Sequence, residues 1–433
     1  MHPNDGRPPD PAPLPRAARV AVLGAAFAGL LFDGVEVGRM PVASLSITRS
    51  LMGADYTPTA GGEWFARYTA ALMLGAAVGG IALGALGDRI GRTRAMGISI
   101  LAYSLFAGMG AWVRTQEEML VLRFGVGLGI GGMWPNGVSL VFECWPRASR
   151  PLVSGILGAG INAGVLLLSQ VARLRPITPD AWRWLFGMAL APAALGVAVL
   201  AALPESPAWR AARKAGAVRK APRRGVFAPG LARVTLLAVV LGAIPLVGAW
   251  AGSKWMIPWA DKAAGEGEAG YKAVTQGWWA LGATLGSFLG APLAGRLGRR
   301  ASYALFSLGA AAMTAALFQL TAPLAPSFLP VVFAQGFVAT LLFGWLPLYL
   351  PELFPVAVRA TATGLAMNLG RFATAGGVFL AGALFAAFGG SYPRIGAACA
   401  LVYALGLAAA AAIPPASGAG FQPPLEPTRK EPP

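Results

Sequence analysis

Histidine occurs once in the 433 residues, at His2, and cysteine twice, at Cys144 and Cys399. One histidine builds neither a histidine-based catalytic site nor a histidine metal cluster. Two distant cysteines give neither a disulfide framework nor metal-ligand spacing. No Walker loop and no nucleophile–base set is present, so ATP-driven pumping and hydrolysis have no support. No enzyme activity, cofactor or metal is therefore expected. Charge is scarce as well: 12% of residues are Asp, Glu, Lys or Arg, against about a quarter in a soluble domain. So little polar material cannot cover a water-exposed surface. What replaces it is apolar, with 56% hydrophobic residues and a mean hydropathy of +0.60. Apolar runs of about 20 residues recur along the chain, each enough to cross hydrocarbon as a helix.

Acids are the scarcer charge, 18 against 35 Lys and Arg, for a formal net charge of +17. No basic helix or aromatic-spaced patch accompanies the excess, so no nucleic-acid partner is expected. The cations instead collect in alternate loops. The sequence reads as an all-α membrane protein with helices near 19–47, 63–87, 95–113, 118–142, 150–172, 183–203, 233–259, 271–294, 301–320, 327–350, 359–388 and 394–413. Loops on the side of Arg89 hold Arg147, Arg150, a cluster from Arg210 to Arg233, and Arg296, Arg299 and Arg300. Loops on the other side hold a few scattered cations. That asymmetry predicts twelve transmembrane helices with both termini cytoplasmic. Residues 1–19 carry no apolar core or cleavage site, so the first run is expected to stay as an anchor. The expected organisation is a tail over 1–18, a six-helix bundle over 19–203, a basic linker over 204–232, a second six-helix bundle over 233–413 and a tail over 414–433.

The halves repeat. Glu143-x-x-Pro146-x-x-x-Arg150-x-x-x-x-Gly155 recurs as Glu352-x-x-Pro355-x-x-x-Arg359-x-x-x-x-Gly364, with every member displaced by 209 residues. The turn Asp88-Arg89-Ile-Gly91-Arg92-Thr93 recurs as Gly295-Arg296-Leu-Gly298-Arg299-Arg300, without the Asp. Such self-similarity marks duplicated units. Two halves related by an axis along the membrane normal, with a site between them, is a transporter arrangement.

Gly84-Ala-Leu-Gly-Asp88-Arg89-Ile-Gly91-Arg92 lies between two apolar runs and resembles the loop between the second and third helices of the major facilitator superfamily. Arg123-x-x-x-Gly127-x-x-x-Gly131 resembles that superfamily's fourth-helix signature, in which glycines permit close packing. The overlapping Gly127-Leu-Gly129-Ile-Gly131-Gly132 fits a dinucleotide fingerprint, but no strand precedes it. Pro204-Glu-Ser-Pro207 resembles the segment after the sixth helix of sugar porters. The resemblance implies that Gly84, Asp88, Arg89, Gly91, Arg92, Glu143, Arg150, Glu352 and Arg359 form the cytoplasmic signature loops and gate. Within these loops Arg89 is expected to pair with Glu143, and Arg359 with Glu352. The resemblance places Asp88 against the N-terminus of the eleventh helix.

Intramembrane charges are functional candidates by default. Asp33, Glu36 and Arg39 span about 120° of the first helix. Asp33 lies about 21 Å from Arg19, a little past the midplane, where a poorly solvated carboxyl group can take up and release a proton. Asp-Gly-x-(Asp/Glu) resembles the first helix of aromatic-acid proton symporters, which implies proton coupling at Asp33 and Glu36. The alternative is a structural i,i+3 pair of Glu36 and Arg39. Arg371, about 18 Å along the eleventh helix from Arg359, has Asn162 as its counterpart at the 209-residue displacement. The run Arg359 to Arg371, with Asn368, resembles the eleventh helix of sugar, sialic-acid and aromatic-acid porters. A guanidinium there suits a carboxylate ligand, or else an ion pair with Asp33 or Glu36. Arg39, Gln170 and Gln335 complete the candidate pocket, with Asn136, Trp278 and Trp345 as further lining or helix contacts. Lys254 is expected to gate the entrance or to snorkel to water.

The sequence therefore reads as a secondary transporter working by alternating access, a proton-coupled symporter of a small organic anion or sugar. Passive sugar uniport and a non-transporting membrane sensor are the alternatives. The expected partners are the solute, protons and the bilayer. The expected setting is a monomer in a bacterial inner membrane.

Overall fold

The computed structural model describes residues 14–145, 150–214, 231–354 and 359–413. Long helices follow one another along the chain: α1 (Arg16–Met52), α2 (Pro58–Ile90), α3 (Arg92–Met109), α4 (Gln116–Cys144) and α5 (Arg150–Leu174). The next pass is α6 (Arg183–Gly187), a single tight turn, then α7 (Ala191–Ala202). A short α8 (Pro207–Lys214) opens the region between the halves. The second half holds α9 (Ala232–Val247) and α10 (Met256–Ala264), joined by a wide π turn at Gly248–Gly252 and a tight one at Ser253–Trp255. It continues with α11 (Tyr271–Leu297), α12 (Arg299–Gln319), α13 (Phe328–Tyr349), α14 (Arg359–Ala387) and α15 (Tyr392–Ala411).

Ten helical stretches among the described residues are long and apolar enough to cross a membrane. α4 and α11, 29 and 27 residues long, are not among them. Both are diluted by glycine and polar residues. Those glycines are spent on contact between helices: in the membrane, close backbone approach takes the place of bulk hydrophobicity. The helices also run past the apolar stretches that announced them. α1 and α2 each extend several residues into polar sequence, where Thr57 and Thr115 cap α2 and α4 by accepting from Ala60 N and Glu118 N.

The duplication holds at the level of single backbone atoms. A Cβ on Gly75 would lie 2.1 Å from Phe124 O, and one on Gly282 would lie 2.2 Å from Phe333 O. A Cβ on Gly79 would lie 2.0 Å from Leu128 O, and one on Gly286 would lie 2.2 Å from Phe337 O. In the other direction, Gly127 faces Leu72 O and Gly336 faces Trp279 O, each at 2.3 Å from an added Cβ. α2 therefore meets α4 as α11 meets α13. Gly127 and its neighbours serve this packing, which accounts for the fingerprint-like spacing without a nucleotide.

The turn after α2 is closed from below. Gly91 adopts φ 113° and its counterpart Gly298 φ 83°, a region open to glycine. The freed amides at the start of α3 donate to one carboxylate: Arg92 N to Glu205 Oε1 at 3.0 Å and Thr93 N to Glu205 Oε2 at 3.1 Å. Thr93 Oγ1 donates to Pro204 O at 3.0 Å, and Trp209 Nε1 donates to Asp88 O at 2.9 Å. The Pro-Glu-Ser-Pro segment thus works as a helix cap for α3. Glu205→Ala should cost about 1–2 kcal/mol, seen as a lower melting temperature in detergent. Asp88→Asn, at a side chain 64% exposed, should change it little.

Candidate functional site

The halves meet along two seams, α2 against α14 and α5 against α11. Each seam carries one polar side chain bonded across it. Arg371 on α14 donates from Nη1 to Ala76 O on α2 at 3.3 Å and to Asn368 Oδ1 at 3.2 Å. Asn162 on α5 donates from Nδ2 to Ala283 O on α11 at 3.4 Å and to Ser287 Oγ at 3.0 Å. Arg371 and Asn162 are 209 residues apart, and Ala283 and Ala76 are 207 apart, the same displacement that relates Gly298 to Gly91. The two bonds are therefore one contact made twice. Arg371 and Asn162 sit on opposite seams rather than side by side. Gly80 makes room for the first of them, since a Cβ there would lie 2.2 Å from Asn368 Oδ1. Asn368 Nδ2 is held by Gly364 O at 2.9 Å.

Asp33 is 3% exposed. Its Oδ1 has no hydrogen-bond partner among the described residues, and it lies within electrostatic reach of Arg371 and Glu36. One turn later the arrangement is different. Glu36 is fully buried and takes a hydrogen-bonded ion pair from Arg39. Arg123 on α4 approaches the same carboxylate at 3.8 Å and donates from Nη2 to Glu36 O at 3.4 Å. The i,i+3 pair is thus formed, and α4 adds a second guanidinium to it. Arg39 stacks 5.3 Å from the Phe186 ring centroid and borders an apolar cavity of about 140 Å³ with Phe32, Leu168, Met188 and Pro192. It faces α5, α6 and α7 instead of Arg371. In sequence Arg123 is a cation inside an apolar run, and its glycine-spaced motif reads as helix packing.

The second half holds a connected polar set. Gln335 accepts from Trp279 Nε1 at 2.8 Å and donates to Thr314 Oγ1 at 3.2 Å and to Ser253 Oγ. Its amide is fully engaged, so Gln335 fixes Trp279 rather than offering a free group. Lys254 does not snorkel. It is 2% exposed, with Nζ 3.3 Å from the Trp279 ring centroid and 5.9 Å from that of Trp250. The unwinding of α9 at Gly248–Gly252 turns this side chain inward. Gln170 is exposed beside Gly277 of α11. Trp278 is 41% exposed against Phe333, and Trp345 stacks on Tyr349 at 4.8 Å. Asn136 bridges to Leu83 O at 3.0 Å, so it ties α4 to α2.

The signature loops differ from expectation in their partners. Glu143 pairs with Arg92 at 3.4 Å, whereas Arg89 is exposed. Asp88 pairs with Arg92 at 2.5 Å, and residues 355–358, which lead into the eleventh helix, lie outside the described residues. Gly91 turns the chain back, so the first residue of α3 faces α4 while Arg89 is left outside. Glu352 pairs with Arg299 at 2.6 Å. Arg299 and Glu352 are the repeat counterparts of Arg92 and Glu143, so this is again one contact made twice. The side chains of Arg150 and Arg359 lie outside the described residues.

At the end of the bundle away from these loops, the halves are clasped together. Trp255 meets Phe65 edge-on at 5.2 Å and stacks on Phe385 at 4.7 Å. Lys272 on α11 binds Asp261 at 3.0 Å and Ser46 Oγ on α1 at 3.0 Å, and Arg49 reaches Glu266 at 3.0 Å. The ion pairs at the Arg89 end all lie within one half among the described residues. Halves clasped at one end, with a buried carboxyl group within electrostatic reach of a seam arginine, suit a solute site opened by rocking of the halves.

Comparison with known proteins agrees with this geometry. Residues 25–260 match the family model described as Major Facilitator Superfamily. A probable 4-methylmuconolactone transporter of Cupriavidus pinatubonensis is 30% identical over 82% of this chain and 82% of its own. A cis,cis-muconate transport protein of Acinetobacter baylyi is 31% identical over 81% of this chain and 84% of its own. Among solved structures, a D-xylose–proton symporter superposes with a TM-score of 0.66 at 19% identity, covering 88% of this chain and 96% of that one.

Proposed function

Because the chain belongs to the Major Facilitator Superfamily, we propose that it is a proton-coupled symporter of a small organic acid, working by alternating access. It is a membrane transporter rather than an enzyme, a multi-pass protein of the inner membrane. In this reading α6 with α7, and α9 with α10, each make one crossing, and α4 and α11 cross as well. That gives twelve transmembrane helices in two six-helix bundles over 19–203 and 233–413, joined by 204–232. Both termini and the Arg89 loops are cytoplasmic by charge asymmetry. The clasp at Trp255 then closes the outer side, and the chain acts as a monomer in the bilayer.

One observation carries the coupling proposal: the buried Asp33 on α1, with an unpartnered oxygen, lies within electrostatic reach of Arg371 on α14. Protonation of Asp33 removes a negative charge beside Arg371 and raises the positive potential at the centre of the bundle, so proton uptake and anion binding favour each other. Glu36 holds Arg39 and Arg123 in place, and Asn162, Asn368 and Gln335 position the seam and Trp279. The named relatives that move muconate and 4-methylmuconolactone support an organic acid as solute. The test is proton flux into liposomes containing the purified protein, challenged with cis,cis-muconate, 4-hydroxybenzoate and D-xylose. Acid-driven proton entry should fall at least tenfold in Asp33→Asn, while uptake down the acid's own gradient persists. Intact proton entry in Asp33→Asn would sink the coupling role. The same electrostatic reach also favours a second reading, a uniporter in which Asp33 and Arg371 form a permanent pair. Xylose equilibration without proton movement would establish that one.

A further inference from the structure

Each buried cation of the seam and its surroundings has a named counterpart except one. Arg39 and Arg123 share Glu36, and Lys272 has Asp261. Arg371 has Ala76 O, Asn368 and the nearby Asp33. Lys254 has no hydrogen-bond acceptor and no acid among the described residues. Its ammonium meets only the faces of Trp279 and Trp250. Indole faces return part of what an ammonium loses on leaving water, but they satisfy none of its three donors. A buried cation without a counter-charge is otherwise selected against, which marks it as a functional position.

Two further features point to a ligand. Lys254 sits where the seventh crossing unwinds, from the π turn at Gly248–Gly252 into the tight turn at Ser253–Trp255. Irregular backbone at membrane depth belongs beside a cavity or a bound solute. One turn before Trp279 on α11, Gln276 Oε1 is buried and unpartnered, while its Nε2 is engaged by Ser169 Oγ at 3.3 Å. Lys254 thus offers an ammonium between aromatic faces, and Gln276 a buried unused acceptor one turn along α11 from Trp279.

The geometry points to Lys254 as the anchor for the carboxylate of the transported acid, with Trp279 and Trp250 flanking its planar body. This rests on the organic-acid reading above and moves the anion from Arg371, which already has partners, to the cation that has none. Trp255, the next residue, bridges to Phe65 and Phe385 in the clasp. Opening the clasp therefore uncovers Lys254, and a solute seated there is released or retained with the clasp.

The test compares purified full-length wild type with Lys254→Met and Lys254→Gln, titrated with cis,cis-muconate and 4-hydroxybenzoate and melted without ligand. Kd for both acids should rise at least tenfold in each variant, about 1.4 kcal/mol. The ligand-free melting temperature should stay level or rise, because an uncompensated buried charge has been removed. Asp33→Asn should still bind the acids. Binding within twofold of wild type in the Lys254 variants would overturn this assignment and leave the symport reading to the liposome assay. Failure of both variants to fold would also overturn it, since it would make Lys254 structural. Absence of acid binding by the wild type would overturn both readings.

Discussion

Glu36→Gln should destabilise the folded protein by about 3–5 kcal/mol, the range for removing one member of a buried ion pair. The carboxylate is fully buried and serves two guanidiniums, Arg39 by a direct pair and Arg123 at 3.8 Å. Glutamine keeps the shape and removes the charge. Both arginines, each 1% exposed or less, would then face one another without an acid between them. Arg39 and Arg123 reach it from α1 and α4, so the loss would loosen the centre of the first half. The measurement is the yield and melting temperature of folded protein in detergent. Arg39→Met is the informative contrast, because it leaves one acid with one cation and should cost much less. A Glu36→Gln variant that melts with the wild type would mean that Glu36 does not hold the arginines.

Gly34→Ala is the second large effect. An added Cβ would lie 1.8 Å from Ile161 O on α5, and the reciprocal substitution Gly164→Ala would place one 1.8 Å from Leu31 O on α1. In both cases the obstacle is a backbone carbonyl, which no rotamer change removes. Overpacking of this kind costs about 1–3 kcal/mol, and more where the backbone must shift. The consequence for transport should exceed that for stability, because Asp33 precedes Gly34 and moves with it. Proton-coupled uptake in liposomes, normalised to folded protein, should fall at least tenfold. Gly24→Ala on the same helix, where an added Cβ meets nothing within 4 Å, should be neutral or slightly stabilising through helix propensity. Equal behaviour of Gly24→Ala and Gly34→Ala would refute the close-approach argument.

Much of this was legible in the chain. Apolar length gave the helices, and the 209-residue repeat gave equivalent positions, which the paired bonds of Arg371 and Asn162 occupy. Other features were not, for physical reasons. The sequence points to Arg89 as the partner of Glu143, where the structure has Arg92, because spacing along the chain does not show how Gly91 turns the chain. For Lys254 the sequence leaves an entrance gate and a snorkelling residue open, because its proximity to a helix end is visible in sequence, whereas the π turn beside it is not. Glu205 lies in a segment that the sequence marks only by its resemblance to sugar porters. Its bonds to the amides of Arg92 and Thr93, more than a hundred residues back, depend on three-dimensional return of the chain. For Arg371 the sequence offers a carboxylate ligand or an ion pair with Asp33 or Glu36, and not the α2 carbonyl that receives it, because backbone acceptors carry no sequence signal.

The two copies keep time with each other up to one place and then slip. Equivalent positions are 207 residues apart through Arg92 and Arg299, and 209 apart from Phe124 and Phe333 onward. α3 with its last turn and α12 have the same length, 21 residues each, so the two additional residues fall between α12 and α13. Leu324, in that connection, is the only non-glycine residue with positive φ among the described residues, at 72°. Chain length can drift there because nothing downstream is asked to rotate. One residue inserted a few positions later, inside α13, would swing Gly336 by about 100° off the carbonyl of Trp279. That connection is accordingly where a tag or reporter can be spliced in, and the helix beyond it is where one cannot.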